Sequence, residues 1–375
     1  MLRYRTAGES HGPCLVTILE GIPYGVPIET AAIDAALARR QGGYGRGVRQ
    51  KMEHDTVEVL AGVRQGRTIG GPLVLRIANR VKSGETLGPI AKPRPGHADL
   101  PGALKLGLTD ARDVSERASA RETAARVAAG AVARLLLAPF GIEPLGYVVA
   151  VGGAASPLRL NDPAEIRRRR EASPFFAIDP SMESVWTAAV DAAQKAGDTI
   201  GGVFEVAVFG CPPGLGSHAQ WDQKLDARLA AGLMSVQTVK GVEIGDGFAA
   251  AARRGSEAQD AVQPEAGGKI RRATNRAGGI EGGMTNGMPV LLRAACKPIS
   301  TLREGLATID LSTGEPARAQ YERSDSCVVP AASVVGEAAV ALEMAAAFLD
   351  KFGGDTWDEV RRAHDAYAAR VRAFY

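Results

Sequence analysis

Cysteine is scarce and scattered. Cys14, Cys211, Cys296 and Cys327 form no C-x-x-C pair, which argues against a zinc knuckle and a disulfide framework. Charge of one sign is missing too. The chain has 45 basic and 42 acidic side chains, a net charge of +3, short of the basic footprint of a nucleic-acid binder. No run approaches the ~18 apolar residues of a membrane helix. The first residues, Met1-Leu-Arg-Tyr-Arg-Thr, carry no apolar signal core. No G-x-G-x-x-G sits between a strand and a helix, so a dinucleotide-binding unit is not expected. No internal repeat is visible. These absences lead to the expectation of a soluble cytoplasmic protein that binds neither nucleic acid nor membrane.

What is present is a globular composition, 45% hydrophobic and 23% charged, which excludes a disordered chain. The 375 residues allow two or three ordinary domains or one large one. No linker divides them, so a single domain over 1–375 is expected. The 45 glycines exceed the usual ~7% and fall in clusters, which suggests functional loops.

Helical periodicity appears at 30–41, ending at Gly42-Gly43, and at 119–138, opening on an apparent capping box from Ser119 to Glu122. It recurs after Asp162-Pro163, where the run Arg167–Arg170 reads as a solvated face, and at 221–234 and 331–350. A last helix after Asp355 carries Trp357, Val360, His364, Tyr367, Val371 and Phe374 on one stripe, which makes His364 a packing residue. Period-two alternation marks strands at 13–20, 56–63, 72–78, 146–151, 203–209 and 289–295. They occur in neighbouring groups as well as between helices, so the pattern is mixed and not a repeated βαβ. The stretch 80–96 reads as one long loop.

Three clusters combine glycine, arginine and histidine. Gly8-Glu-Ser-His-Gly12 puts Ser10 and His11 on a backbone that can approach a ligand closely. Arg39-Arg40-Gln-Gly-Gly-Tyr-Gly-Arg46-Gly-Val-Arg49 is a donor-rich loop whose guanidinium forks suit carboxylate or phosphate. Arg94-Pro-Gly-His97-Ala-Asp99 is the third. Glu116, Arg117, Ser119 and Arg121 surround a helix start, a natural anion site. Farther on, Gly278–Gly287, Lys297-Pro-Ile-Ser-Thr301 and Arg323-Ser-Asp325 again offer cations, hydroxyls and bare amides.

In this order the clusters resemble the chorismate synthase family. Gly8–Gly12 running on to Glu20-Gly-Ile-Pro23, Arg117–Thr123 followed by Val127 and Gly130, and Arg323-Ser-Asp-Ser-Cys327 followed by Glu337 and Glu343 are similar to its three signatures. Arg40–Gly47, Arg94–Asp99, Gly241–Gly245 and Gly282–Gly287 also fit. The sequence departs at Ala118, where serine is commoner, at Gln237-Thr238, and in a short 80–93 loop lacking Asp-Trp after Asn79.

The resemblance implies an α+β fold, a β-α-β sandwich of antiparallel sheets enclosing helices, assembled as a homotetramer. It implies the anti 1,4-elimination of phosphate from 5-enolpyruvylshikimate 3-phosphate, with reduced FMN required though no net redox change occurs. By family likeness His11 protonates the leaving phosphate, His97 protonates or hydrogen-bonds the flavin, and Asp325 helps proton removal at the flavin N5 edge. Substrate would engage Ser10, Arg40, Arg46, Arg94, Ser119, Arg121 and Arg323. Flavin would engage Arg117, Ala118, Ser119, Gln237, Thr238, Gly282, Lys297, Pro298, Ile299, Ser300, Thr301 and Arg323. Several anions packed together repel strongly unless cations surround them, which accounts for the arginines. No metal is expected. An external flavin reductase is a candidate partner, since no separate nicotinamide fingerprint is visible. The rivals are a flavin- or polyanion-binding protein without turnover, and a metal site drawn from His11, Cys14, His54 and His97, for which no spacing speaks.

Overall fold

The computed structural model describes residues 2–47, 54–80, 87–266, 269–322 and 324–372. Its first sheet contains β1 (Arg3–Ala7), β2 (Cys14–Glu20), β3 (Val57–Ala61) and β4 (Leu73–Ala78) in the order β1-β2-β4-β3, all antiparallel. The second contains β5 (Glu143–Val151), β6 (Ala154–Ala155), β7 (Gly202–Phe209), β8 (Val239–Ile244) and β9 (Val290–Cys296) in the order β8-β9-β7-β5-β6, also antiparallel. Each strand expected from alternation is there. Three of these nine strands gave no such signal: β1, β8 and the two-residue β6. In β1 neither face is deeply buried, and β8 is an edge strand with a register shift between Val239 and Gly241.

The helices are α1 (Thr30–Gln41), α2 (Asp99–Leu106), α3 (Arg112–Ala118), α4 (Thr123–Leu137), α5 (Pro163–Ala172), α6 (Glu183–Lys195), α7 (Leu225–Met234), α8 (Val329–Lys351) and α9 (Trp357–Val371). α4 packs on β2 and β4, α8 packs on β5 and β7, and the two helices pack on each other. Gly130 makes that crossing possible: a Cβ there would lie 2.4 Å from the Ala338 Cβ. One core runs from Leu15 and Leu75 through Ala128 and Val335 to Phe204. The far face of the second sheet buries Leu145, Tyr147 and Val149 against Ile166 of α5. β5 is therefore covered on both faces and is buried from Pro144 to Val151.

Three expectations are corrected here. The apparent capping box at Ser119 does not form. Ser119 caps a short 3₁₀ turn at Ala120–Glu122 by accepting from the Arg121 N–H, Glu122 bonds Thr6 and Arg126 instead, and α4 starts at Thr123. The Arg167–Arg170 run is not wholly solvated, because Arg170 is buried on Glu337. Finally, 112–140 and Val329–Lys351 are helical stretches long and apolar enough to cross a membrane, yet 94% of the second one's apolar window lies inside the fold.

α9 begins with a true capping box between Thr356 and Glu359. Its stripe faces its own chain. Trp357 and Val360 are in the core, and the His364 ring packs against Phe140 at 4.7 Å and Phe352 at 5.4 Å. Phe374 lies outside the described residues.

Candidate functional site

The His11 loop joins β1 to β2 and is held from α3. The His11 Nδ1 lies 2.9 Å from Glu116 Oε1, and the His11 backbone N–H donates to Glu116 Oε2 at 2.7 Å. Burial pushes the Glu116 carboxyl up, but the His11 side-chain and backbone hydrogen bonds outweigh it, and the group titrates below its usual value. A carboxylate on Nδ1 fixes the ring's tautomer and directs Nε2 as the other functional nitrogen. Arg112 steadies Glu116 from 3.6 Å and also pairs with Glu322 at 3.0 Å.

The adjacent α3 residue holds the second histidine loop. Ser115 Oγ accepts from Arg94 Nη2 at 2.6 Å, and Arg94 Nε donates to Asp99 Oδ2 at 2.7 Å. Asp99, fully buried, contacts His97 Nδ1 as well. Its desolvation is overcome by His97 and Arg94, which hold the carboxyl below the ordinary range. Arg94 also reaches Thr301 Oγ1 at 3.3 Å, and Lys297 Nζ donates to the Gly96 carbonyl. The segment 297–301 thus lies beside the His97 loop, as its residue types suggested. Arg94, expected on the substrate, bonds Asp99 and Ser115 and lies 3.1 Å from His97 Nδ1.

Between the loops lies an arginine group. Arg121 is bidentate on Asp55 at 2.7 and 2.8 Å and donates from Nε to Asn79 Oδ1 at 2.9 Å. Asn79 in turn donates to the Glu9 and Gly12 carbonyls, tying Arg121 to the His11 loop. Arg40, also buried, donates to Thr123 Oγ1 and the Ala120 carbonyl and lies 3.6 Å from Asp55. Burial first, then the Arg121 and Arg46 charges, lower its pKa to about 9 despite Asp55, so it stays cationic at neutral pH. Arg46 pairs with Asp325, whose other oxygen accepts the Gly47 N–H at 2.6 Å. Arg40 Nη1 and Arg46 Nε are buried with no hydrogen-bond partner among the described residues.

Ser10 and Ser119 meet at 3.2 Å. Arg117 is exposed and bonded to Thr6. Ala118 ends α3 beside it. Gln237 Oε1 is buried without a hydrogen-bond partner among the described residues, and Thr238 adopts a positive φ of 76°, a strained state for a β-branched residue. The Thr238 carbonyl accepts from Lys297 N–H at 2.9 Å. Gly282 stands apart in an exposed hairpin turn between Ile280–Glu281 and Met284–Thr285. Arg323 lies outside the described residues. Asp55, Asn79 and Thr123 carry weight that their sequence context does not advertise. Among the described residues no group of three or more His, Cys, Asp or Glu is placed to hold a metal.

Two histidines, each set by a carboxylate on Nδ1, around buried arginines whose donors are unmet among the described residues define a protein that handles an anionic ligand with acid–base groups. Comparison with known proteins specifies it. The family model described as Chorismate synthase matches residues 2–349. A chorismate synthase of Acidothermus cellulolyticus is 54% identical, with 98% of each chain covered. One of Desulforudis audaxviator is 52% identical over 100% of this chain and 99% of its own. A solved crystal structure of a chorismate synthase superposes with a TM-score of 0.82 at 40% identity, covering 100% of this chain and 99% of that one. The chain belongs to the chorismate synthase family. It is a lyase of the shikimate pathway that eliminates phosphate from 5-enolpyruvylshikimate 3-phosphate to give chorismate.

Proposed function

We propose that His11 delivers the proton to the departing phosphate and that the arginine group at Arg40, Arg46 and Arg121 receives the substrate's negative charges. The observation that carries this reading is the His11–Glu116 couple at 2.9 Å beside that group. When the ring is doubly protonated, Nδ1–H stays on Glu116 and Nε2–H becomes the proton to donate. Arg40 Nη1 and Arg46 Nε, buried and without a hydrogen-bond partner among the described residues, are the donors proposed for an anion. Asp325, oriented by Arg46 and the Gly47 N–H, is the carboxylate proposed to assist proton removal at the flavin N5 edge.

Reduced FMN is proposed as cofactor. Bound there, it would supply electron density that weakens the breaking C–O bond with no net redox change. The residues fit it: Gln237 Oε1 is a buried acceptor without a hydrogen-bond partner among the described residues, and Thr238 and Lys297–Thr301 adjoin the His97 loop. His97, set by Asp99, would give or hold a proton at the flavin edge. Gly282 belongs to this set by family likeness only. The continuous core between two antiparallel sheets supports a single-domain β-α-β sandwich, family likeness supports a cytoplasmic homotetramer, and the lack of a separate nicotinamide fingerprint in the sequence favours an external flavin reductase.

The test is anaerobic turnover with reduced FMN, following phosphate and chorismate together, with and without a chelator. Flavin binding without chorismate would replace the enzyme by a binding protein, and loss on chelation would revive a metal. Turnover on NADPH and oxidised FMN alone would remove the need for an external reductase.

A further inference from the structure

Away from these histidines, α1, α4 and α5 border a half-open cavity of about 540 Å³, within the size range of small-molecule sites. Arg39, Arg134 and Arg170 line it. All three converge on one buried carboxylate, Glu337. Arg134 Nη1 lies 2.8 Å from Oε1, while Arg39 and Arg170 pair with Oε1 and Oε2. The second oxygen also accepts the Gly146 N–H at 2.8 Å. Three guanidiniums against one carboxylate leave an uncompensated positive excess at the inner end.

Arg170 is 2% exposed, and among the described residues its Nε and that of Arg39 are buried without a hydrogen-bond partner, whereas the Arg39 and Arg134 side chains keep 17% and 32% of their surface open. The remaining wall is apolar, built from Ala32, Ala35, Leu135, Ala138 and Ile142. At the rim Arg167 is occupied by Glu143 at 2.7 Å, and Glu171 adds one more negative charge. Four arginines against Glu143, Glu171 and Glu337 leave one positive charge overall, which matches a monoanion. Arg39 directly precedes Arg40 on α1, and consecutive helical residues point about 100° apart. One faces this cavity and the other the candidate active site, so the two sites are separate.

We propose that this cavity is a second binding site, for a small organic monocarboxylate whose charged end meets Arg39, Arg134 and Arg170 and whose apolar body lies along α1 and α4. The test is calorimetric titration of the full-length protein with benzoate, inorganic phosphate and benzyl alcohol. Benzoate should saturate with a millimolar dissociation constant, about tenfold or more tighter than either of the others. Arg134→Gln should weaken benzoate by about tenfold and leave chorismate formation unchanged, since Arg134 touches none of the candidate active-site residues. Glu337→Gln, which removes the competing carboxylate, should tighten it. No saturable benzoate binding to the wild-type protein would overturn the proposal, whatever the variants do. So would phosphate binding as tightly as benzoate, or benzoate binding that Arg134→Gln leaves unchanged, which would place the ligand elsewhere.

Discussion

Glu116 holds His11 from 105 residues away, by the ring at 2.9 Å and by the main chain at 2.7 Å. The next residue back, Ser115, anchors Arg94 and through it Asp99 and His97. Seven residues of helix α3 therefore set both histidines. The side chains of consecutive helical residues diverge, so one short helix can address two loops at once.

The first prediction separates donor from positioner. His11→Ala should keep flavin binding and slow turnover by about 10²–10⁴, the span of one acid–base group. Glu116→Gln should cost less, about 10–100-fold, on the scale of other histidine-orienting carboxylates. The loss should fall on kcat with KM little changed, because the amide loosens the ring without touching substrate. A loss carried by KM alone would reduce Glu116 to a structural prop.

Acid stability follows from two buried carboxyls. Asp99 is held below its ordinary range against burial by His97 and Arg94, and Glu337 against burial by Arg39, Arg170 and Arg134. The unfolded chain takes up these protons first, near pH ~4. Their stabilisation is complete above that region and is lost as pH falls below it toward the lowered folded values. Melting temperature should be level from neutral pH down to about pH 5 and fall steeply below about pH 4. Rising stability on acidification would contradict both assignments.

Thiol reactivity should be confined to Cys14. Burial raises Cys211 to about 12 and Cys296 and Cys327 to about 11, whereas Cys14 is partly exposed. The thiolate is the reactive form. A disulfide dye at neutral pH should titrate one thiol in the native protein and four after unfolding. Cys14→Ser should abolish the native signal, and labelling that persists in it would show that one of the buried thiols opens.

Truncation after Gly354 removes α9. Trp357 and Val360 are core residues, and the Tyr367 hydroxyl donates to the Pro213 carbonyl at 2.8 Å. The shortened protein should melt at a lower temperature while any native assembly persists at working concentration. Sedimentation showing intact, folded subunits falling apart would move this helix to the subunit interface.

The sequence by itself determined a good deal. Each major strand with one apolar face was visible from alternation, and the stripe from Trp357 to Tyr367, with His364 inside it, was legible from spacing. The glycine-framed histidines and the order of the motifs were enough to place the chain in its family. Pairing across long separations was decided only by the tertiary structure. Nothing near Asp55 announces that it sits between Arg40 and Arg121, and nothing near Arg170 distinguishes it from three neighbouring arginines. Ser119 and Glu122 have the right spacing for a capping box, but Thr6 and Arg126 compete for Glu122 and win. The physical reason is common to all of these. Periodicity records which face of an element is buried, whereas the partner of a buried charge is chosen by whichever element the fold brings within a few ångströms, and local sequence carries no record of that.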